Sequence, residues 1–169
     1  MRRLLTFLVL SIACIGCDQG TKHIAASSLR GRPTMSFLAD TFRLQYAENP
    51  GAFLGLGSSM PEGWRFAIFV AGSGLLVLGT IAFMFARRNL ARSQFIALTL
   101  LAAGGIGNLI DRFVGDGRVI DFMNVGVGPV RTGIFNVADI AIMGGMLWML
   151  VVGWREEPKE AAPETAASA

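Results

Sequence analysis

Apolar residues gather along this chain in four long blocks with polar stretches between them. A helix that crosses a membrane needs about 20 mainly apolar residues, each adding 1.5 Å. The first block runs from Leu4 to about Ala26 and is broken by Asp18 and Lys22. The second, Trp64 to Ala86, carries no charge except Arg65 at its edge. Ser93 to about Arg112 is the third, and about Ile134 to Trp154 is the fourth, with Asp139 inside it. Between the first two blocks, "MSFLADTFRLQYAENPGAFLGLG" alternates, which predicts short strands around Phe37 and Phe42–Tyr46 and a turn at Asn49-Pro50-Gly51. The pattern predicts a membrane all-α core of four transmembrane helices, with a small sheet over the outer face. Residues 1–154 form one unit with outer loops at 29–62 and 113–133, and the polar "REEPKEAAPETAASA" (155–169) is a disordered cytoplasmic tail.

Composition agrees with the pattern. Of 169 residues, 53% are hydrophobic and 16% charged, against about 25% charged in soluble domains. A net charge of +3 with no long basic run gives nucleic acid no footprint. Both cysteines lie in the first apolar block, so no disulfide framework is available. His23 is the single histidine, which excludes a multi-histidine metal site, and neither metal nor cofactor is expected. Arg2 and Arg3, with Arg87, Arg88 and Arg92, place both termini in the cytoplasm. Arg30, Arg32, Arg43, Arg118 and Arg131 fall in the outer loops, against that rule.

Depth then singles out chemistry. Leu4 to Cys17 climbs roughly 21 Å and Ser93 to Asp111 roughly 27 Å in the same direction, while Asp139 lies roughly 8 Å below the outer end of the fourth span. Asp18, Asp111 and Asp139 therefore reach one outer layer, accompanied by Asn108, Arg112 and Asn136. Ionisable residues inside a membrane are costly and mark functional sites. Asn108, Asp111 and Arg112 share one helix face, and Asn136 and Asp139 share another. Gly104, Gly105 and Gly107 would let another helix approach closely. Two neighbouring aspartates cannot both ionise, so they share a proton, one acting as base and the other as acid. Such a pair activates water against an amide carbonyl. Asp139 fits that role. Asp111 reads first as a structural ion pair with its neighbour Arg112, spacing leaves Asp121 open, and Asp116 between glycines reads as a turn residue.

Other constellations are weaker. "CIGC" (14–17) reads as helix packing rather than redox work, and His23 as an interfacial side chain. A serine–lysine dyad of Ser27 or Ser28 with Lys22 lacks an oxyanion-hole signal. The glycine-rich "VAGSGLLVLG" (70–79) reads as helix packing, and Trp64, Trp148 and Trp154 suit membrane interfaces. "IACIGC" also imitates a lipoprotein lipobox, with Gly16 in place but Cys14 where Leu, Val or Ile belongs. A lipoprotein anchored at Cys17 and a small proton-coupled transporter or channel are the competing classes.

Five blocks resemble the signal peptidase II (lipoprotein signal peptidase) family in order and spacing: "DQGTK" (18–22), "ENPGAF" (48–53), "GGIGNLIDR" (104–112), "VIDF" (119–122) and "FNVAD" (135–139). The resemblance spans about residues 4–154. It implies a multi-pass aspartyl protease of the bacterial inner membrane, with a small antiparallel periplasmic β-sheet and a site near the outer face. The implied substrate is a diacylglyceryl-modified prolipoprotein, cut just before the lipidated cysteine. By position, Asp121 and Asp139 match the catalytic pair, and Asn49, Gly51, Asn108, Arg112 and Asn136 match substrate-positioning residues. Asp18, Lys22 and Asp111 match supporting ones. The resemblance also implies a monomer in contact with membrane lipid, inhibited by cyclic peptide antibiotics of the globomycin type. The second block departs, with Pro50 and "AFLGLG" where the family usually has Asn-Thr-Gly-Ala-Ala-Phe-Ser. On this reading "IACIGCDQGTK" is the enzyme's own first helix, because cleavage before Cys17 would remove most of the span that carries Asp18 and Lys22.

Overall fold

The computed structural model describes residues 1–51 and 60–155. Residues 52–59, which hold the last two positions of "ENPGAF" and the "LGLG" after it, and the expected disordered tail beyond residue 155 lie outside the described residues.

Helix α1 (Arg2–Leu29) runs without interruption through Cys17. Its buried face is Ser11, Asp18, Lys22, Ala25 and Leu29, a helical stripe. Leu4, Leu5, Leu8, Val9 and Ile12 on the other side are exposed, as lipid-facing positions should be. Next comes α2 (Glu62–Phe66), a π-helical turn (Ala67–Gly72) and α3 (Ser73–Ala86), which together form the second span. Arg3 closes the free end of α3, donating to the carbonyls of Arg87, Arg88 and Leu90 at 3.0, 2.7 and 2.9 Å. α4 (Arg92–Val114) is central and touches α1, α3 and α5 (Val137–Arg155). Among the described residues, three helices are long and apolar enough to cross a membrane, and Val137–Val151 of α5 is a shorter apolar helix.

The glycines of α4 explain this close packing. A Cβ on Gly104 would sit 2.5 Å from the Ala138 carbonyl of α5, and one on Gly107 would sit 2.7 Å from the Asp18 carboxylate of α1. No side chain fits either place. The glycines of 70–79 behave differently and correct the reading that they pack against a helix: a Cβ on Gly72, Gly74 or Gly79 would meet nothing within 4 Å among the described residues. The segment packs instead through Val77, which a Cβ on Gly105 of α4 would meet at 2.5 Å.

At one end of the bundle, where α1 and α4 finish and α5 begins, lies a sheet of order β1-β2-β3-β4. β1 (Met35–Phe37) and β2 (Phe42–Asn49) fall where alternation predicts them. β3 (Val119–Val127) and β4 (Val130–Arg131) come from the stretch read only as an outer loop. All pairings are antiparallel. Between β2 and β3 the register slips once, from Leu44↔Met123 to Ala47↔Asp121, so Gln45 and Tyr46 together oppose Phe122. This bulge sets the faces of the strand ends. Ala47 and Asn49 share one side with Asp121 and Val119, while Glu48 shares the other with Ile120. The fourth helix starts at Val137 and not at Ile134, because Phe135 is claimed by the sheet. Its N–H donates to the Met123 carbonyl at 2.8 Å and its carbonyl accepts from Met123 at 2.9 Å. Asp139 therefore stands in the first turn of α5, shallower than its place in the apolar block implied. The expected architecture, a membrane all-α core with a small antiparallel sheet, is the one found.

Candidate active site

Asn136 is the hinge of the site. It precedes α5, and its Oδ1 accepts the Asp139 N–H at 2.9 Å. Asp139 returns the bond, its Oδ2 accepting the Asn136 N–H at 3.2 Å, so the pair forms a reciprocal helix cap. The Asn136 amide then reaches across to β3, donating to Asp121 Oδ1 at 2.7 Å and to Asn108 Oδ1 at 3.1 Å. Asn108 of α4 donates to Asp139 Oδ1 at 2.9 Å. Asn49 at the end of β2 donates to Asp121 Oδ2 at 3.0 Å, a diagonal neighbour across the strand pair. Three asparagines on three elements thus hold two carboxylates in fixed orientation. Asp121 is 2% exposed. Burial pushes its carboxyl up to about 6, and the nearby Asp139 charge adds to the rise, against hydrogen bonds from Asn49 and Asn136.

Both carboxylates border one cavity of about 530 Å³ between the second span, α4 and α5. Asn49, Asn108 and Arg112 line its polar end, and Leu76, Val77, Ile142, Met143 and Met146 line the rest. Arg112 donates to the Gly51 carbonyl at 3.0 Å. Gly51 donates its N–H to Asn49 Oδ1 at 3.0 Å, so the predicted Asn49-Pro50-Gly51 turn ties the sheet to α4. The Arg112 Nε is buried with no hydrogen-bond partner among the described residues.

Behind this layer lies a charged one. Lys22 is 2% exposed, with Nζ 2.8 Å from Asp18, 2.9 Å from Asp111 and 3.0 Å from Asn108 Oδ1. Asp18 also accepts the Ala138 N–H at 2.9 Å, placing negative charge at the start of α5 where the helix dipole favours it. The ion pair expected between Asp111 and Arg112 is corrected: Asp111 pairs with Lys22. Adjacent helix residues point about 100° apart, so neighbours in sequence do not face each other. Asp111 Oδ2 further accepts the Ile120 N–H at 3.0 Å and so fixes the residue before Asp121. Gln19 was not singled out by sequence, yet it donates to Asp111 at 2.9 Å and to the Gly107 carbonyl at 3.2 Å. Its place inside "DQGTK" was the available signal. With Lys22 engaged three times and Ser27 donating to the Ile24 carbonyl at 3.0 Å, no serine–lysine dyad forms. Cys14 and Cys17 are unbridged, Asp116 has the positive φ of a turn residue, and Trp64 and Trp148 are exposed. Among the described residues, no three histidine, cysteine or carboxylate side chains are grouped to hold a metal.

Fold and site together define a multi-pass membrane protein with two aspartates, one buried and one half-buried, facing an apolar cavity at the sheet-bearing end of the bundle. The description "Signal peptidase (SPase) II" belongs to a family model that matches residues 10–155. A lipoprotein signal peptidase of Syntrophus aciditrophicus is 33% identical over 149 residues, 88% of this chain and 91% of that protein. One of Moorella thermoacetica is 31% identical over 160 residues, 91% and 98% of the two chains. The fold also matches a solved bacterial membrane enzyme, with TM-score 0.78 and 23% identity over 93% of this chain and 94% of that one. The chain belongs to the signal peptidase II family and is a membrane peptidase.

Proposed function

We propose that Asp121 and Asp139 are the catalytic pair of an endopeptidase that removes signal peptides from diacylglyceryl-modified prolipoproteins, cutting before the lipidated cysteine. The observation that carries this is their common position at the polar end of an otherwise apolar cavity, cross-linked through Asn136. The two carboxylates share one proton. The ionised one takes a proton from water, whose oxygen attacks the scissile carbonyl carbon, while the protonated one hydrogen-bonds the carbonyl oxygen. The tetrahedral intermediate collapses as the C–N bond breaks. The pair hands a proton to the leaving amine, giving a free cysteine N-terminus and a new carboxylate on the signal peptide.

Asn49, Gly51, Asn108, Arg112 and Asn136 position the pair and the substrate backbone, and Asp18, Lys22 and Asp111 support them from behind. The apolar part of the cavity receives the diacylglyceryl group, so the site lies at the depth where that group leaves the bilayer. The sheet-bearing end faces the periplasm, both termini lie in the cytoplasm, and the enzyme works as a monomer in the inner membrane, in contact with membrane lipid. Cyclic peptides of the globomycin type inhibit it by occupying the cavity. The test is cleavage of a lipidated precursor by Asp121→Asn and Asp139→Asn, each matched to wild type for membrane expression. Neither variant should cleave, and normal cleavage by a folded one overturns the assignment.

A further inference from the structure

Each asparagine around the two aspartates has its amide turned by a group that only donates. The Gly51 N–H meets Asn49 Oδ1 at 3.0 Å, and the Asp139 N–H meets Asn136 Oδ1 at 2.9 Å. The Lys22 ammonium meets Asn108 Oδ1 at 3.0 Å. An amide oxygen held in this way leaves the NH2 group to face a carboxylate. Asn49 and Asn136 give theirs to Asp121, at 3.0 and 2.7 Å, and Asn108 gives its own to Asp139 at 2.9 Å. With the Asn136 N–H on Asp139 Oδ2, all four carboxylate oxygens accept a hydrogen bond.

The two carboxylates are nevertheless unequal. Asp121 in β3 is 2% exposed, and both of its amides are turned by neutral backbone N–H groups. Asp139 is half-buried and stands in the first turn of α5, where the helix dipole favours an anion. Its amide partner, Asn108, is the one held by a full positive charge, which polarises the amide toward Asp139. Arg112 of α4 borders the cavity beside both aspartates. Lys22 and Arg112 are matched in charge by Asp18 and Asp111, so the surroundings leave no cation over for a second ionised carboxylate. Asp18 and Asp111, both paired with Lys22, also hold the N–H groups of Ala138 and Ile120, the residues just before Asp139 and Asp121.

We infer that Lys22 is a positioning residue that makes the pair asymmetric, acting through Asn108 so that Asp139 is the ionised base and Asp121 carries the proton. This rests on the catalytic pair proposed above and assigns its two roles. Asp139 takes a proton from the attacking water, and Asp121 gives its own to the carbonyl oxygen. On collapse the leaving nitrogen takes the proton from Asp139, the re-forming carbonyl returns one to Asp121, and the pair is as it began.

The test is infrared difference spectroscopy of the full chain in detergent at pH 5, below the value of about 6 to which burial raises the Asp121 carboxyl. The carbonyl stretch of a protonated carboxyl should be lost in D121N and kept in D139N. The reverse pattern, or the same change in both variants, overturns the assignment. In K22M/D111N, which removes the ammonium and one of its counter-charges, adding D121N should leave about half or more of that band, because Asp139 takes up the proton. Complete loss there, as in the parent, overturns the role of Lys22. The D121N and D139N comparison leaves the charged layer intact, so it decides the assignment even where K22M/D111N does not fold. No substrate is needed, so this test can fail while the cleavage assays still uphold the pair.

Discussion

Replacing Lys22 with methionine keeps most of the side chain's volume and removes its charge. All three ammonium protons have partners, in Asp18, Asp111 and Asn108, at 2.8–3.0 Å. The variant leaves two carboxylates buried at 0% and 8% exposure without their cation. Breaking a buried pair in this way costs about 3–5 kcal/mol, a large share of a total stability of about 5–15 kcal/mol. At about 2–4 °C per kcal/mol for a chain of this size, the apparent melting temperature should fall by on the order of 10 °C. Tryptophan fluorescence during heating in detergent reads this directly. Adding Asp111→Asn should return about 1 kcal/mol or more, since it removes one of the stranded charges. K22M melting with the wild type, or the two changes adding without coupling, would refute the account of the charged layer.

Three further outcomes follow from single contacts. The Asp121 carboxyl is raised from 3.8 to about 6, so between those values the native state holds more protons than the unfolded chain. Stability contributed by this group therefore falls by on the order of 3 kcal/mol as pH rises through that window, and the fall should be smaller in D121N in pH-dependent unfolding. Gly104→Ala should destabilise by about 1–3 kcal/mol, because its Cβ meets the Ala138 carbonyl at 2.5 Å. The matched Gly79→Ala should not, and a thermal-shift comparison decides. Asn136→Ala removes the side-chain cap of α5 and the amide that donates to the Asp121 carboxylate, so it should cost about 1 kcal/mol in melting and on the order of 10²-fold in cleavage rate.

Much of this molecule was legible because the membrane makes its own demands on sequence. Long apolar blocks must be helices there, and Asp18, Lys22 and Asp139 stand out inside them. Depth arithmetic brought Asp18, Asp111 and Asp139 to one level; Asp18 and Asp111 meet there at Lys22, and Asn108 links Lys22 to Asp139. β3 was missed because "VIDFMNVGV" is buried on both faces near Asp121 and lacks the alternation that marked β2. With β3 unseen, Phe135 looked like helix and Asp139 looked deeper than it is. The Lys22–Asp111 pair joins residues 89 positions apart, which spacing rules along one helix cannot reach. The pairing of Arg30 and Arg118 with Glu48 escaped for the same reason, since the three residues respectively follow α1, precede β3 and sit in β2.

The most direct measurement compares cleavage of a lipidated precursor by D121N, D139N and the double variant at matched membrane levels. Two carboxylates that share one proton act as a unit, so each single change should be as damaging as both together. Equal, near-background rates in all three are the expected result. A folded single variant that retains normal cleavage, or losses that multiply in the double variant, would contradict a shared catalytic pair.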